Sequence, residues 1–165
     1  MNRIKLSLGL IIGILLALFF GVAFYLRVVL PYDVVFSGEW IKLTGIDAYW
    51  QMRIVDNLAH NFPHLLTFDP YLIYPNSGSV GTVHFMNWLI AGFAWVIGLG
   101  SPTQHTIDLV GVYFPAVAGS LTVIPVYFIG KELFGRWAGI IAAGLLSIMP
   151  GEFLGRTLLG FTDTP

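Results

Sequence analysis

Cysteine is absent from all 165 residues, which excludes disulfides and thiolate metal sites and leaves the compartment open. Charge is scarce as well. Asp, Glu, Lys and Arg make up 10% of the chain, against about a quarter in an ordinary soluble domain. The net charge is −1, and no basic patch points to a nucleic-acid partner. Residues 6–26, 71–107 and 109–130 carry no charge at all. The four histidines show no zinc spacing of the H-E-x-x-H kind, and there is no glycine-rich phosphate loop or nucleophile elbow. No internal repeat or heptad pattern is present.

What remains is apolar. The chain is 56% hydrophobic with a mean hydropathy of +0.80. Uncharged runs of about 20 residues are long enough to cross a hydrocarbon core ~30 Å thick. The expected class is an all-α integral membrane protein. The opening run of 21 uncharged residues, 6–26, exceeds the ~7–15 residues of a cleavable signal core, so residues 6–30 read as a first membrane span. Arg3 and Lys5 precede it and Arg27 follows it. The positive-inside rule therefore assigns residues 1–5 to the cytoplasm.

Residues 31–105 read as a long external loop. Seven charges fall between Pro31 and Pro70: Asp33, Glu39, Lys42, Asp47, Arg53, Asp56 and Asp69. Within it, Ile46, Trp50, Ile54 and Leu58 repeat at helical spacing, which predicts an amphipathic helix over about 46–60, lying along the membrane surface with Trp50 among the headgroups. A short apolar helix follows at about 84–99. Its apolar core, Phe85 to Leu99, would measure about 22 Å, so it reads as interfacial or re-entrant rather than spanning.

Residues 106–130 then form a second span, kinked by Pro115 and Pro125. Residues 131–136, "KELFGR", form a cytoplasmic turn with Lys131 and Arg136, and residues 137–155 a third span. Residues 156–165 open a second external loop. With three spans, both basic residues lie inside, and Asp47 and Asp163 share the external face. With four, Asp163 falls on the other side. Charge bias favours three.

Three residues stand out as candidates. Asp47 has a structural reading, since Thr44 precedes it by three residues, the spacing of a helix-capping box; it also reads as a functional carboxylate. Asp163, just past a long apolar run, reads as an interfacial residue or as a metal ligand. Arg156 is either a snorkelling span-end arginine or a planar fork for a lipid phosphate. Two carboxylates on one face could share a hard divalent cation, Mg2+ or Mn2+. Asp33, Glu39, Asp56 and Asp69 read as a solvated face, and Glu152 as a span-end residue.

Three segments together carry a resemblance. "GIDAYWQMRIVDNL", "FDPYLIYPNSGSV" and "GEFLGRTLLGFTDT" resemble, in order and spacing, the first acidic loop motif, the "YP-x-G" stretch and the "RT-x-x-G-x-x-D" run of oligosaccharyltransferase catalytic subunits of archaeal type. The resemblance implies the N-terminal part of a C-type glycosyltransferase multispan fold in the archaeal plasma membrane, with active-site loops on the external face. It implies transfer of an oligosaccharide from a dolichyl- or polyprenyl-phosphate carrier in the membrane to Asn in N-x-S/T of an acceptor polypeptide. Asp47 would then be catalytic and a metal ligand, Asp163 a second ligand, and the cofactor Mn2+ or Mg2+.

The chain departs from that family in two ways. Pro165 stands where a second acidic residue or a histidine is common, and the later spans and soluble domain of the family are missing. The expectation is an N-terminal fragment, inactive alone. The alternatives are another polyprenyl-phosphate-sugar transferase, distinguished by its acceptor, and a non-catalytic membrane subunit or anchor.

Overall fold

The computed structural model describes residues 2–38, 40–71, 75, 78–79 and 85–162. The elements run α1 (Asn2–Val29), α2 (Tyr32–Val35), β1 (Phe36–Ser37), β2 (Trp40–Ile41), α3 (Ile46–His60), β3 (Phe68–Asp69), β4 (Gly78–Ser79), α4 (Phe85–Ile97), α5 (Gln104–Leu121), α6 (Val123–Phe134), α7 (Arg136–Ile148) and α8 (Glu152–Gly155). The molecule is mostly helical, and β1–β2 and β3–β4 are two-residue antiparallel pairs that close turns. The chain divides into two compact units, residues 1–34 with 115–159, and residues 35–114 with 160–165.

The first unit is built from α1, α6 and α7. Two helical stretches are long and apolar enough to cross a membrane, Leu8–Val35 and Gln104–Phe134. α4 and α7 have 13 residues each, so length alone does not separate a short span from an interfacial helix. Ala23, Val123, Tyr127 and Ala143 form the buried core, with Leu16 and Phe19 packed against it. Small residues let the backbones close up, the usual solution for helices in lipid. A Cβ on Gly139 would lie 2.5 Å from the Tyr127 carbonyl oxygen, so this crossing of α6 and α7 requires glycine. Gly135, at φ 91, makes the sharp turn between them.

The break between α5 and α6 falls at Thr122. Pro125 has no N–H to offer the Leu121 carbonyl one turn back, so the hydrogen-bond ladder stops there. The Thr122 hydroxyl donates instead to the Gly119 carbonyl at 2.6 Å.

The second unit is centred on α3 packed against α4. Met52, Val55, Leu58 and Ala59 meet Ile90, Ala91, Ala94 and Ile107 in one core. Each fully buried aliphatic side chain of this kind contributes about 1.5–3 kcal/mol. The helix is amphipathic, but its buried face is rotated from the stripe expected of the sequence. Ile46 is 89% exposed, while Gln51 is buried. The inward position of Gln51 is satisfied by Asn87 on α4, whose Nδ2 donates to Gln51 Oε1 at 2.7 Å.

Asp69 also departs from the expected solvated face. It is buried, and its Oδ1 accepts from Arg53 Nη2 at 2.9 Å and from the Tyr71 amide at 2.9 Å. The Arg53 guanidinium lies 5.0 Å from the centre of the Tyr71 ring. A carboxylate withdrawn from water needs such partners, and here they tie the chain after β3 to α3.

Candidate functional site

The site is built around the start of α3. The expected capping box does not form: the helix is preceded by Gly45 at φ 96, and no side chain caps it. Asp47 therefore sits in the first turn, exposed, and no ion pair or hydrogen bond holds its carboxylate among the described residues. Negative charge in the first turn suits the helix dipole, and the absence of a partner leaves the oxygens available to a ligand.

Thr44 has a different task. Its amide donates to the Gly160 carbonyl at 2.9 Å, and the Gly160 amide donates to the Val112 carbonyl at 2.9 Å. Two residues on, the buried Thr162 hydroxyl donates to the Gly111 carbonyl at 2.8 Å. That carbonyl is free because Pro115, four residues later in α5, has no N–H to fill it. The proline opens the helix ladder where the 160–162 turn docks. Gly160 takes φ +79, and a Cβ there would lie 2.9 Å from Val35 Cγ2. Asp163 and Pro165 lie outside the described residues, as does most of the "YP-x-G" stretch.

In the first unit, Arg27 anchors the segment leading to this turn. It is buried, its Nε donates to Thr157 Oγ1 at 2.9 Å, and its Nη1 donates to the Ala23 carbonyl at 3.0 Å. The guanidinium carbon is 5.3 Å from the centre of the Phe153 ring. The Arg27 carbonyl in turn accepts from the Leu159 amide at 3.0 Å. Gly119 gives Thr157 its room, since a Cβ there would meet the threonine side chain at 2.5 Å. Arg156 is exposed and pairs with Glu152, Nε to Oε2 at 2.8 Å.

Sequence reasoning passed over Arg27, Thr157 and Thr162 as site-forming residues. Their hydrogen-bonding role has no local signature. The adjacent "RT" and "FTD" letters mark polar side chains in an apolar neighbourhood, which was the available signal.

A hard divalent cation calls for oxygen donors. Asp47 fits in kind, an unpaired carboxylate in water. No group of three or more His, Cys, Asp or Glu gathers among the described residues, so any complete donor set draws on residues beyond them. A cavity of about 320 Å3 whose lining includes Tyr49, Arg53, Asp56, Gln104 and Asp108 holds two carboxylates. Asp108 accepts from Gln104 at 3.1 Å, and Asp56 lies 3.3 Å from His60. At 100° per residue, Tyr49 and Asp56 are on the opposite side of α3 from Asp47.

A family model for the N-terminal part of oligosaccharyl transferase STT3 matches residues 9–165. The chain belongs to the STT3 oligosaccharyl transferase family. The STT3 segment is 39% identical over 135 residues to the dolichyl-monophosphooligosaccharide–protein glycotransferase AglB of Haloferax volcanii, covering 80% of this chain and 13% of that protein. It is 36% identical over 140 residues to dolichyl-phosphooligosaccharide–protein glycotransferase 3 of Archaeoglobus fulgidus, covering 84% of this chain and 16% of that one. It superposes on the Archaeoglobus fulgidus oligosaccharyltransferase AglB solved with an inhibitory peptide and a dolichol-phosphate, with TM-score 0.80, 34% identity, and coverage of 90% of this chain and 17% of that chain. The complex of the Archaeoglobus fulgidus oligosaccharyltransferase with Zn and sulfate gives TM-score 0.81. The STT3 segment thus spans less than a fifth of the relatives it matches.

Proposed function

We propose that this STT3 segment forms part of the active site of a membrane oligosaccharyltransferase, which moves a dolichyl- or polyprenyl-phosphate-linked oligosaccharide onto the side-chain amide of Asn in N-x-S/T. The observation that carries the reading is the Thr44–Gly160 hydrogen bond. It joins the chain that leads into Asp47 to the chain that leads into Asp163. Each aspartate follows its partner in that bond by three residues, no more than ~11 Å of backbone.

Asp47 and Asp163 would hold the divalent cation, Mn2+ or Mg2+. When bound, such an ion supplies charge stabilisation for a departing phosphate oxygen. The chain's own contribution is to orient the acceptor. An amide nitrogen is a poor nucleophile because its lone pair is delocalised into the carbonyl. A carboxylate such as Asp47, accepting the amide N–H groups, favours the twisted geometry in which that delocalisation is lost. Arg156 would exchange its Glu152 partner for the carrier phosphate, a planar fork being suited to that group.

Three spans, α1, α5–α6 and α7, with both acidic segments external, fit this chemistry. The reading is supported within the first unit by a cavity lined by Leu8, Lys131 and Arg136 together, which gathers the start of α1 and the α6–α7 turn at one end. At the other end, Arg27 of α1 meets Thr157 beyond α7. In the second unit, α4 packs on α3 in the manner of a loop helix.

The test uses the full-length enzyme with a lipid-linked oligosaccharide and an N-x-T peptide. Asp47→Asn and Asp163→Asn should each abolish glycopeptide formation; turnover at the wild-type rate in either would overturn the reading.

A further inference from the structure

The first unit carries a groove that the transfer chemistry does not use. Two cavities, of about 650 Å3 and about 490 Å3, lie between α1 and α6 and share Gly13, Leu16 and Phe128. Sharing these walls, they are adjoining parts of one apolar groove. Its walls run from Leu8 and Gly9 to Phe20 on α1 and from Phe128 and Ile124 on α6 to Leu121 at the end of α5. Gly9 and Gly13 have nothing within 4 Å of where a Cβ would stand, so the α1 wall is hollowed there by missing side chains. The run from Leu8 to Phe20 rises about 18 Å at ~1.5 Å per residue, a little more than half a hydrocarbon core of ~30 Å.

One end of this apolar channel is cationic. Lys131 and Arg136 line the mouth of the larger cavity. No carboxylate pairs with either among the described residues, although Glu132 is adjacent in sequence. Lys131 Nζ lies 5.7 Å from the centre of the Phe128 ring, which itself lines the channel. A channel one leaflet deep with unpaired cations at its mouth is complementary to one ligand class, a lipid with a hydrocarbon chain and an anionic phosphate head.

We propose that this groove binds an anionic phospholipid of the cytoplasmic leaflet, one chain lying along α1 from Gly9 to Phe20 and the head phosphate at Lys131 and Arg136. Basic pockets between transmembrane helices on the cytoplasmic side bind anionic head groups by the same physics. The ligand is bulk lipid rather than the glycan carrier. The mouth lies at the end of the unit opposite the Arg27–Thr157 contact, and on the three-span reading it faces the cytoplasm whereas the acidic segments are external. Bound lipid would fill the gap between α1 and α6 and hold the helix whose far end carries Arg27. The cytoplasmic assignment rests on the three-span reading above.

The test uses the full-length enzyme reconstituted in phosphocholine vesicles containing a minor fraction of a phosphoglycerol lipid with a photoactivatable chain. Irradiation should attach that lipid to residues 8–20 or 121–128, identified by peptide mass spectrometry. Unlabelled phosphoglycerol lipid should compete, and phosphocholine lipid should not. Lys131→Gln/Arg136→Gln should lower apparent affinity by about thirtyfold, as expected for two charges. Gly13→Leu should block labelling while leaving both cations in place, and serves if the charge variant fails to fold.

Equal labelling by a photoactivatable phosphocholine lipid would overturn the proposal. So would labelling indifferent to all three substitutions, competition by dolichyl phosphate but not by phosphoglycerol lipid, or a photo-crosslinker at position 13 that captures a later segment of the polypeptide. The two readings fail separately. Asp47→Asn should lose transfer and keep the lipid adduct. Glu132→Cys should react with an impermeant maleimide only from the cytoplasmic side, and reaction from outside would sink the topology and the leaflet assignment together.

Discussion

The Thr44 amide and the Gly160 carbonyl meet at 2.9 Å, joining two chain segments that each run into an aspartate three residues later. Nothing about either residue type is catalytic. The bond matters because it ties the entry to α3 to the turn that precedes the second acidic run of the sequence. The same turn is held from the other side by Val112 and Gly111 of α5, so the acidic run leaves a fixed platform.

That platform depends on Gly160. Its φ of +79 and the 2.9 Å approach of Val35 Cγ2 leave no room for a side chain. Gly160→Ala is expected to destabilise the full-length enzyme by about 1–2 kcal/mol from the left-handed backbone alone, with a further loss from the clash. Val35→Ala in the same chain should restore part of the stability and not all of it. Thermal unfolding of the two variants measures both contributions.

Thr162 donates to the Gly111 carbonyl, which Pro115 leaves open. Thr162→Val removes the donor and strands a buried acceptor, at a cost of about 1–3 kcal/mol, while Thr162→Ser should remain near wild type. Pro115→Ala supplies the missing N–H, which competes for the Gly111 carbonyl and should loosen the turn. Transfer activity is expected to fall in both Thr162→Val and Pro115→Ala; unaltered activity and stability in Thr162→Val would show that the turn is held elsewhere.

Arg27 contacts Thr157, Ala23 and Phe153 with a single planar group. Lysine cannot reproduce this fork or its stacking. Arg27→Lys should therefore be destabilising by about 1.5–3 kcal/mol, the range for hydrogen bonds to a charged group, despite the conserved charge. Thermal midpoints of Arg27→Lys and Thr157→Val would show whether the two changes act on one contact, in which case the double variant loses less than their sum.

Divalent metal removal gives a further check. Chelation should abolish transfer by the full-length enzyme, and Mn2+ or Mg2+ should restore it. In Asp47→Glu, the metal concentration giving half-maximal activity is expected to rise by about tenfold or more, since even outer-sphere changes cost ~10–100-fold. An unchanged metal dependence would remove Asp47 from the donor set.

In the second unit, Gln51 and Asn87 are buried against each other. Gln51→Leu should cost about 1 kcal/mol by removing the shorter of the two hydrogen bonds of Asn87 Nδ2, the one to the Gln51 backbone carbonyl remaining. The pair Gln51→Leu/Asn87→Leu should be more stable than that single change, and a double-mutant cycle on thermal unfolding reads the coupling directly.

Several features were legible from local sequence. The gaps in charge marked long apolar helices, because the cost of burying an ionised group in lipid acts on every residue of a span. Pro125 marked the interruption near Thr122, because a missing N–H acts one turn back. The period of residues 46–58 marked an amphipathic helix, yet not its inward face. Gln51 turns inward because Asn87 satisfies it, whereas Ile46 projects beyond the contact with α4. Asp69 read as a solvated acid for the same reason: the sequence does not show that Arg53 closes on it.

The division between the two kinds of information is physical. Hydropathy, charge bias and the backbone limits of proline and glycine are properties of short segments, so the sequence by itself determined a mostly helical membrane protein and the interruption ahead of Pro125. Contacts over 16 residues between Arg53 and Asp69, 36 between Gln51 and Asn87, and 51 between Gly111 and Thr162 depend on how helices pack. Only the tertiary structure decided that a carbonyl freed by Pro115 would receive Thr162, and that Thr44 would hold Gly160. Each is a donor meeting an acceptor from a distant part of the chain, which no single segment can specify.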